Sequence, residues 1–257
     1  MPEGHTIHRA ARDQHAQLAG QKLRVLSPQG RFEAGSALVN DQICDRVEAL
    51  GKHLLYHFEN GFAVHIHLGL AGVIRRGPSE GTTPRNVVRV RFETKDYTVD
   101  ISGPAICALL EPDDIAALRA RIGPDVLAAR PDPRRALDRI RRSKAPIGAL
   151  LMNQKVISGI GNIYRVEVLW ILGIDPRRPG KDLTDEEAQA IWKETRKLMQ
   201  DGVRRDAIVT RRARGRQARY GSSVNIYNEE TCPTCRGPVT ADTLGGRSVY
   251  FCESCQN

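Results

Sequence analysis

The sequence predicts an α+β chain with more than one domain. After an initial helix, short apolar stretches separated by turn residues run to about residue 110, a pattern typical of a β-sandwich or barrel. Beyond Gly123-Pro124 the apolar residues recur at helical spacing, and four cysteines lie close to the end of the chain. The length of 257 residues fits two domains, or one domain with a small appendage.

The N-terminal region contains the predicted helix and strands. A helix over 6–18 would place Ile7, Ala10, Ala11 and Leu18 on one face, and Gly20 would end it. Asn60-Gly61 between two apolar runs predicts a hairpin with a tight turn. The clearest strands are expected at 53–58, 62–67, 87–92 and 97–101.

The following region is predicted to be helical. We expect helices at 131–142, 147–153, 162–172 and 184–201. Thr184 followed by three acidic residues is a capping start, because a hydroxyl and carboxylates suit the free amides and dipole of a helix N-terminus. The Arg-rich stretch 210–221 lacks apolar periodicity and is expected to be a mobile loop.

The cysteine spacing predicts a structural zinc site. Two C-x2-C pairs are separated by 16 residues, with Gly245-Gly246 at the bend of the intervening hairpin. Tetrahedral zinc requires four converging ligands, and a site closed by four thiolates has no open position for catalysis. A disulfide framework is the alternative, which the missing signal peptide disfavours. The predicted ligands are Cys232, Cys235, Cys252 and Cys255.

Composition and charge narrow the class of protein. With 40% hydrophobic and 27% charged residues, the chain resembles neither a disordered nor a membrane protein. The N-terminus lacks an apolar signal core, so we expect a cytoplasmic protein. The net charge of +9 is concentrated in windows 130–144 and 201–219. Such windows suit a polyanion, although solvated helix faces explain a charge run as well.

A glycine-rich turn, 153–164, lies between two predicted helices. Gly159 and Gly161 permit positive φ and the close approach of another backbone. The next helix begins near Asn162, so its free amides favour a phosphate, to which Lys155 and Asn162 would add contacts. An ordinary helix–helix turn remains an equal interpretation.

The N-terminus offers a nucleophile. Removal of Met1 would leave Pro2 with a secondary amine of pKa near ~8, which can form an iminium adduct with an aldehyde-like carbon. Glu3 beside it is a candidate proton shuttle, stabilised as a carboxylate by the helix that follows. An ordinary frayed start is the alternative from these residues alone.

Six motifs occur in one order along the chain. They are MPEGHT at the start, Gly51-Lys52, HLGLAG at 67–72, RIGPDVL at 121–127, K-x3-GIGNIY at 155–164 and GGRSVYFCESCQ at 245–256. Together they resemble the formamidopyrimidine-DNA glycosylase / endonuclease VIII family of base-excision-repair enzymes. MPEG is more similar to the endonuclease VIII branch, although His5-Thr6 departs from the better-known MPEGPE form.

The resemblance implies catalytic roles for four residues. Pro2 would attack C1′ of the damaged nucleotide, and Glu3 would open the sugar and transfer protons. Lys52 would donate a proton and contact a phosphate, although a surface lysine in a turn is the alternative. Arg247 at the hairpin tip would enter the DNA near the lesion.

The resemblance also implies DNA contacts. Leu70 would fill the space left by the flipped base, or else be a core residue at a strand end. Phosphates around the kink would be held by His67, Arg121, Lys155, Gly161 and Asn162.

The implied architecture is an N-terminal helix plus β-sandwich at 1–122, a helical domain with a helix–two-turn–helix element at 123–222, and a four-cysteine zinc-finger hairpin at 223–257. The implied activity is that of a DNA glycosylase with AP lyase activity, acting by β- and δ-elimination on oxidised bases, with pyrimidines preferred. An oxidised-purine glycosylase and a catalytically silent zinc DNA-binding protein are the alternatives. We expect one structural Zn²⁺, no organic cofactor, and a monomer that binds damaged double-stranded or single-stranded DNA but no membrane.

Overall fold

A sheet-containing unit and a helical unit make up the chain in a computed structural model, which describes residues 2–80, 82–211 and 223–257. The first unit comprises Pro2 and 7–121, and the second comprises 3–6 and 122–257. Met1 and most of the loop predicted at 210–221 lie outside the described residues. Within those ranges no helix has both the length and the apolar character needed to span a membrane.

The first unit contains eight strands. In chain order its elements are α1 (Gly4–Leu18), β1 (Lys22–Leu26), α2 (Glu33–Val39), β2 (Gln42–Leu50), β3 (His53–Phe58), β4 (Ala63–His67), β5 (Val73–Gly77), β6 (Val88–Glu93), β7 (Thr98–Ser102), β8 (Ile106–Leu110) and α3 (Pro112–Arg121). The first residues of α1 belong to the second unit. The predicted helix and all four predicted strands are present to within two residues at each end.

The strands form one antiparallel sheet that folds onto itself. Their order is β5-β7-β6-β1-β2-β3-β4-β8, and β1 pairs with β2 at Leu23 but with β6 from Arg24 onward. The rings of Tyr56 in β3 and Phe92 in β6 stack at 4.0 Å between centroids. Three strand spacings would separate them by about 14 Å in a flat sheet. The two halves therefore pack face to face, which confirms the predicted β-sandwich.

Two helices of this unit were not predicted. Helix α2 has only seven residues and no side-chain cap, and α3 buries only Leu118. Neither segment therefore shows a long apolar stripe. Pro112 and the acidic first turn of α3 were the available signals, since both suit the start of a helix.

The second unit contains all four predicted helices. They are α4 (Arg134–Arg141), α5 (Ile147–Met152), α6 (Asn162–Ile171) and α7 (Asp185–Arg205), followed by β9 (Thr240–Leu244) and β10 (Arg247–Phe251). The capping start at Thr184 is confirmed: its hydroxyl accepts from the Glu187 amide, and the Glu187 carboxylate accepts from the Thr184 amide. Helix α7 continues past the predicted residue 201 to Arg205 and is capped by Asp206, whose φ is 56°.

Strands β9 and β10 form the predicted cysteine hairpin. Gly245 and Gly246 at its turn have φ of 62° and 72°, a conformation in which glycine avoids a Cβ clash. Val249 and Phe251 of β10 are fully buried against Val166 of α6 and Ile226. A small apolar core thus holds the hairpin to α6.

Candidate functional site

The carboxylate of Glu3 caps the N-terminus of α6. Its Oε2 accepts a hydrogen bond from the Gly161 amide at 2.9 Å, and its Oε1 accepts one from the Ile163 amide at 3.0 Å. The side chain is fully buried. A carboxylate is favourable there, because the first amides of a helix lack intrahelical partners and carry the positive end of the dipole.

Glycines bring the N-terminal segment against the turn before α6. The Gly4 amide donates to the Gly159 carbonyl at 2.9 Å, and a Cβ on Gly4 would lie 2.8 Å from the Gly159 Cα. Gly159 has φ of 94°. The predicted positive φ and close backbone approach are confirmed at Gly159, where the approaching backbone is the chain's own N-terminal segment. Gly161 instead has φ of −120° and faces the Glu3 side chain. Two of the α6 amides that we expected to face a phosphate are instead bonded to Glu3.

Gln154 organises the same turn, a role that was not predicted from the sequence. Its Oε1 accepts from the Gly159 amide at 3.0 Å, and its Nε2 donates to the Ile160 carbonyl at 3.0 Å. The Gly123 amide donates to the Gln154 carbonyl, and a Cβ on Gly123 would collide with Val156. The RIGPDVL motif therefore packs against the turn from Gly123 onward. A glutamine between a short helix and a glycine-rich turn was the signal that could have identified this role.

The first unit contains two proposed catalytic positions, one just before α1 and one in a turn between strands. Pro2 is half-buried and immediately precedes Glu3. Lys52 lies in the tight turn between β2 and β3, after Gly51 with φ of 62°, and is half-buried. Gly51 allows the sharp reversal that places the Lys52 side chain at the strand ends.

His67 ends β4 and belongs to a group of histidines. Its Nδ1 accepts from the Gly69 amide at 3.2 Å, which leaves the hydrogen on Nε2. Burial, and then the nearby Lys52, lower the pKa of His67. His67 is therefore a neutral donor. The His53 and His65 rings hydrogen-bond to each other at 2.8 Å, a pairing that sequence spacing did not suggest.

Leu70 and Arg121 are both exposed. Leu70 lies in the turn after β4 with 64% of its surface exposed. Of the two alternatives, a core residue and a wedge, the exposure of Leu70 excludes the first. Arg121 is the last residue of α3.

Lys155 and Asn162 occupy the turn and the first position of α6. Lys155 is exposed, and its carbonyl accepts a hydrogen bond from Arg139. Asn162 is buried, its Nδ2 donates to the Ser248 carbonyl at 2.9 Å, and its Oδ1 accepts from Arg165. The Asn162 side chain, which we expected at a phosphate, thus holds the cysteine hairpin.

Arg165 fixes the hairpin turn that carries Arg247. Its guanidinium is fully buried and donates to the Leu244 carbonyl at 3.1 Å and the Ser248 carbonyl at 3.0 Å, one on each side of the turn. Burial lowers the pKa of Arg165 to about 10, so it stays charged at neutral pH. Arg247 begins β10 and is exposed. The structure thus brings Arg247, Asn162, Gly161 and Glu3 together around α6.

Glu167 is a second buried charge on α6. Its carboxylate accepts from the amides of Asn225, Ile226 and Tyr227 at 2.8–2.9 Å and from the Thr210 hydroxyl at 2.5 Å. The sequence signal was an acidic residue within an otherwise apolar helix. Such a residue, when buried, requires several donors.

The four cysteines form one cluster whose geometry suits a metal ion. All four sulfurs lie within 4.8 Å of one another. The Cys232–Cys255 and Cys235–Cys252 separations are 3.9 and 3.4 Å, both too long for a disulfide bond. A tetrahedral site with Zn–S bonds of ~2.3 Å places its sulfurs about 3.8 Å apart. The residues therefore fit a four-thiolate metal site.

Comparison with known proteins identifies the family. The formamidopyrimidine-DNA glycosylase N-terminal domain matches residues 1–103, and its H2TH domain matches residues 122–213. Endonuclease 8 1 of Mycobacterium tuberculosis is 39% identical over 100% of both chains. Endonuclease 8 of Salmonella schwarzengrund is 31% identical, also over 100% of both chains.

Solved structures of related proteins share the fold and hold damaged DNA. Lactococcus lactis Fpg (MutM) in complex with N7-benzyl-Fapy-dG DNA matches with a TM-score of 0.80 and 20% identity over 99% of each chain. The same protein in complex with abasic-site DNA matches with a TM-score of 0.79 and 19% identity. The chain belongs to the formamidopyrimidine-DNA glycosylase / endonuclease VIII family of bifunctional DNA glycosylase/AP lyases.

Proposed function

We propose that the protein removes oxidised pyrimidines from DNA and then cleaves the abasic site through a Schiff base on Pro2. The observation that carries this proposal is the buried Glu3 carboxylate, bonded to two amides of α6 and adjacent to Pro2. The two endonuclease 8 relatives favour the pyrimidine class.

In this mechanism Pro2 supplies the nucleophile. After removal of Met1, the secondary amine attacks C1′, the N-glycosidic bond breaks, and the base leaves with a proton. The amine lone pair then forms an iminium with C1′ as the sugar ring opens. The iminium acidifies the C2′ proton, so the 3′ and then the 5′ phosphate leave by β- and δ-elimination. Water finally hydrolyses the adduct and regenerates Pro2.

Glu3 transfers protons to and from the sugar during these steps. Its position at the α6 N-terminus favours the carboxylate form before the reaction, because helix amides and dipole stabilise negative charge. A carboxylate accepts the proton that the Pro2 ammonium must lose before attack. We propose that Lys52 donates a proton to the opening sugar and contacts a phosphate.

DNA binding in this proposal depends mainly on contacts with phosphates. His67 offers a neutral Nε2–H, and Arg121 and Lys155 offer exposed cations. Gly161 and Asn162 contribute by ordering the start of α6, since the Gly161 amide is bonded to Glu3 and the Asn162 side chain to Ser248. Leu70 replaces the flipped base, and Arg247 reaches the lesion. Such contacts grip the backbone without reading sequence, so lesions are selected by how readily they flip and fit.

The four cysteines are proposed to hold one structural Zn²⁺. Bound zinc would fix the two C-x2-C turns at the base of the β9–β10 hairpin and would supply no chemistry, since four thiolates leave no open position. The chain's own Asn162 and Arg165 hold the other end of that hairpin. The β9–β10 hairpin, which carries Arg247, is thus held at both of its ends.

We further propose three functional domains at 1–122, 123–222 and 223–257, and a monomer. Its partner would be damaged DNA, double-stranded or single-stranded. The enzyme would act in the cytoplasm, and would be associated with the nucleoid if its source is a bacterium.

Two assays test the proposal. Borohydride should link the protein covalently to an abasic-site oligonucleotide, and Pro2→Gly combined with Glu3→Gln should abolish the adduct. A panel of duplexes should show faster excision of oxidised pyrimidines than of formamidopyrimidines or 8-oxoguanine. Faster excision of the purine lesions would favour the oxidised-purine glycosylase, and absence of any adduct with mature protein would contradict the mechanism.

A further inference from the structure

His5 lies where the better-known motif of the family has proline, and its ring is buried inside the second unit. Only 5% of its surface is exposed. The ring meets that of Tyr164 edge-on, with 5.3 Å between centroids and an 80° interplanar angle. Tyr164 is on α6, two residues after Asn162, so His5 contacts the same helix whose first amides hold Glu3.

Gly202 of α7 forms the other wall of the His5 slot. A Cβ at residue 202 would lie 2.2 Å from the Tyr164 Oη and 3.0 Å from the His5 Cγ and Cδ2. Both distances are shorter than side chains tolerate without moving. A glycine in the interior of a helix lowers the stability of that helix, and here it leaves room for the His5 and Tyr164 rings.

The His5 imidazole is neutral at physiological pH. Burial lowers the pKa of His5 to about 4, although the Asp206 carboxylate opposes the shift. A neutral ring with this pKa is a poor proton donor at pH 7. Its Nε2 lies within hydrogen-bond distance of the neighbouring Thr6 hydroxyl, at 3.3 Å, and its contacts with α6 and α7 are made by packing against Tyr164 and Gly202.

We propose that His5 is a positioning residue, whose ring packs between Tyr164 and Gly202 and holds the Pro2-Glu3-Gly4 segment in its reactive geometry. The role rests on the proposed function of Pro2 and Glu3. Gly4 is held only through its backbone, by the hydrogen bond to the Gly159 carbonyl, so His5 supplies the first ring after Glu3 that can anchor the segment. Small displacements matter, because misplacement of a reacting group by about 1 Å lowers rates by roughly a hundredfold.

Two variants separate ring packing from proton transfer. His5→Ala empties the slot and should lower the single-turnover rate of Schiff-base trapping about tenfold to a hundredfold, while the Kd for abasic-site DNA stays within about threefold. His5→Phe retains a ring and should stay within about threefold of the wild-type trapping rate. A phenyl ring carries no transferable proton, so rescue by phenylalanine indicates packing.

A matched pair tests the slot from its other wall. Gly202→Ala should slow trapping, because the new Cβ collides with the Tyr164 Oη. Adding Tyr164→Phe to Gly202→Ala removes that oxygen. The double variant should therefore trap DNA faster than Gly202→Ala alone, because the two residues are in contact. Tyr164→Phe alone should trap DNA at the wild-type rate.

Hydrogen exchange gives a readout that does not depend on catalysis. The Gly161 and Ile163 amides are protected by Glu3, so His5→Ala should accelerate their exchange, whereas His5→Phe should not. Absence of an adduct with the wild-type protein would contradict the proposed function, and these exchange rates would still decide the role of His5.

Three results would overturn the positioning role. One is a His5→Ala variant that traps abasic-site DNA, and exchanges its Gly161 and Ile163 amides, at the wild-type rates. Another is a His5→Phe variant as impaired as His5→Ala in both measurements. The third applies if His5→Ala fails to fold. A Gly202→Ala variant that traps DNA at the wild-type rate would then show that the slot is not needed.

Discussion

The Glu3 carboxylate and the Gly161 backbone lie so close together that no side chain fits at residue 161. The Gly161 amide donates to Glu3 Oε2 at 2.9 Å, and a Cβ on Gly161 would lie 2.2 Å from the Glu3 Cδ. The φ of Gly161 is −120°, which any residue can adopt. The glycine is therefore required for space, and it sets the position of the proposed proton carrier.

Gly161→Ala should displace Glu3 and lower abasic-site trapping about tenfold to a hundredfold, because the carboxylate loses its place on the α6 amides. Gly77→Ala is the matched control, since a Cβ there meets nothing within 4 Å. Single-turnover trapping measures both. Equal rates for Gly161→Ala and the wild-type protein would show that Glu3 does not need its observed position.

Cys252→Ser should remove the proposed zinc ion and weaken DNA binding, because the hairpin that carries Arg247 loses one of its restraints. Cys107→Ser, outside the cluster, should retain the metal. Metal analysis and a DNA-binding titration test the two effects. Full zinc stoichiometry in Cys252→Ser would contradict the four-ligand assignment.

Glu167→Gln should lower the free energy of unfolding by about 2–4 kcal/mol, since an amide cannot accept from all the donors that converge on the buried carboxylate. Glu229→Gln provides a control, because Glu229 is exposed near the same segment. Urea unfolding gives the difference. A loss below about 0.5 kcal/mol would mean that solvent or rearrangement satisfies these donors.

The Glu48 carboxylate should make stability depend on acid pH. Burial raises the pKa of Glu48, but hydrogen bonds from His57 at 3.0 Å and Arg119 at 2.5 Å outweigh it and lower the pKa to about 2. A carboxyl whose pKa is lowered by folding stabilises the fold at pH values above 4.5, its pKa in the unfolded chain. That contribution disappears as the pH falls toward 2.

The stability difference between wild type and Glu48→Gln should therefore be largest at neutral pH, at most about 3 kcal/mol, and should shrink between pH 4.5 and 2. Thermal unfolding across this range measures it. Glu59→Gln, an exposed change, should show no such trend. A difference that is constant with pH would contradict the role of the carboxylate charge.

Much of the fold follows from local patterns in the sequence. The α7 capping box, the Gly245-Gly246 turn and the strand at 53–58 each depend on a few neighbouring residues, so short-range chemistry predicts them. Helices α2 and α3 were missed because they bury few residues, and their apolar periodicity is correspondingly weak.

The site was predicted less completely, because its key contacts join distant residues. The sequence indicated Glu3 and Gly161 separately, but their hydrogen bond spans 158 positions. Asn162 was predicted to contact a phosphate, but the sequence did not indicate its side-chain hydrogen bond to the Ser248 carbonyl, 86 positions away. Arg165 and Glu167 were charged residues in an apolar helix, and only their tertiary partners reveal what they hold.

Pro2 is proposed to form the covalent intermediate. The most direct measurement is borohydride trapping on an abasic-site oligonucleotide, followed by proteolysis and tandem mass spectrometry of the adduct. We predict a single modified peptide that begins at Pro2, with the sugar on its α-nitrogen. An adduct on Lys52 or any other side chain, or Met1 retained in protein that still forms the adduct, would contradict the role of Pro2 as the nucleophile.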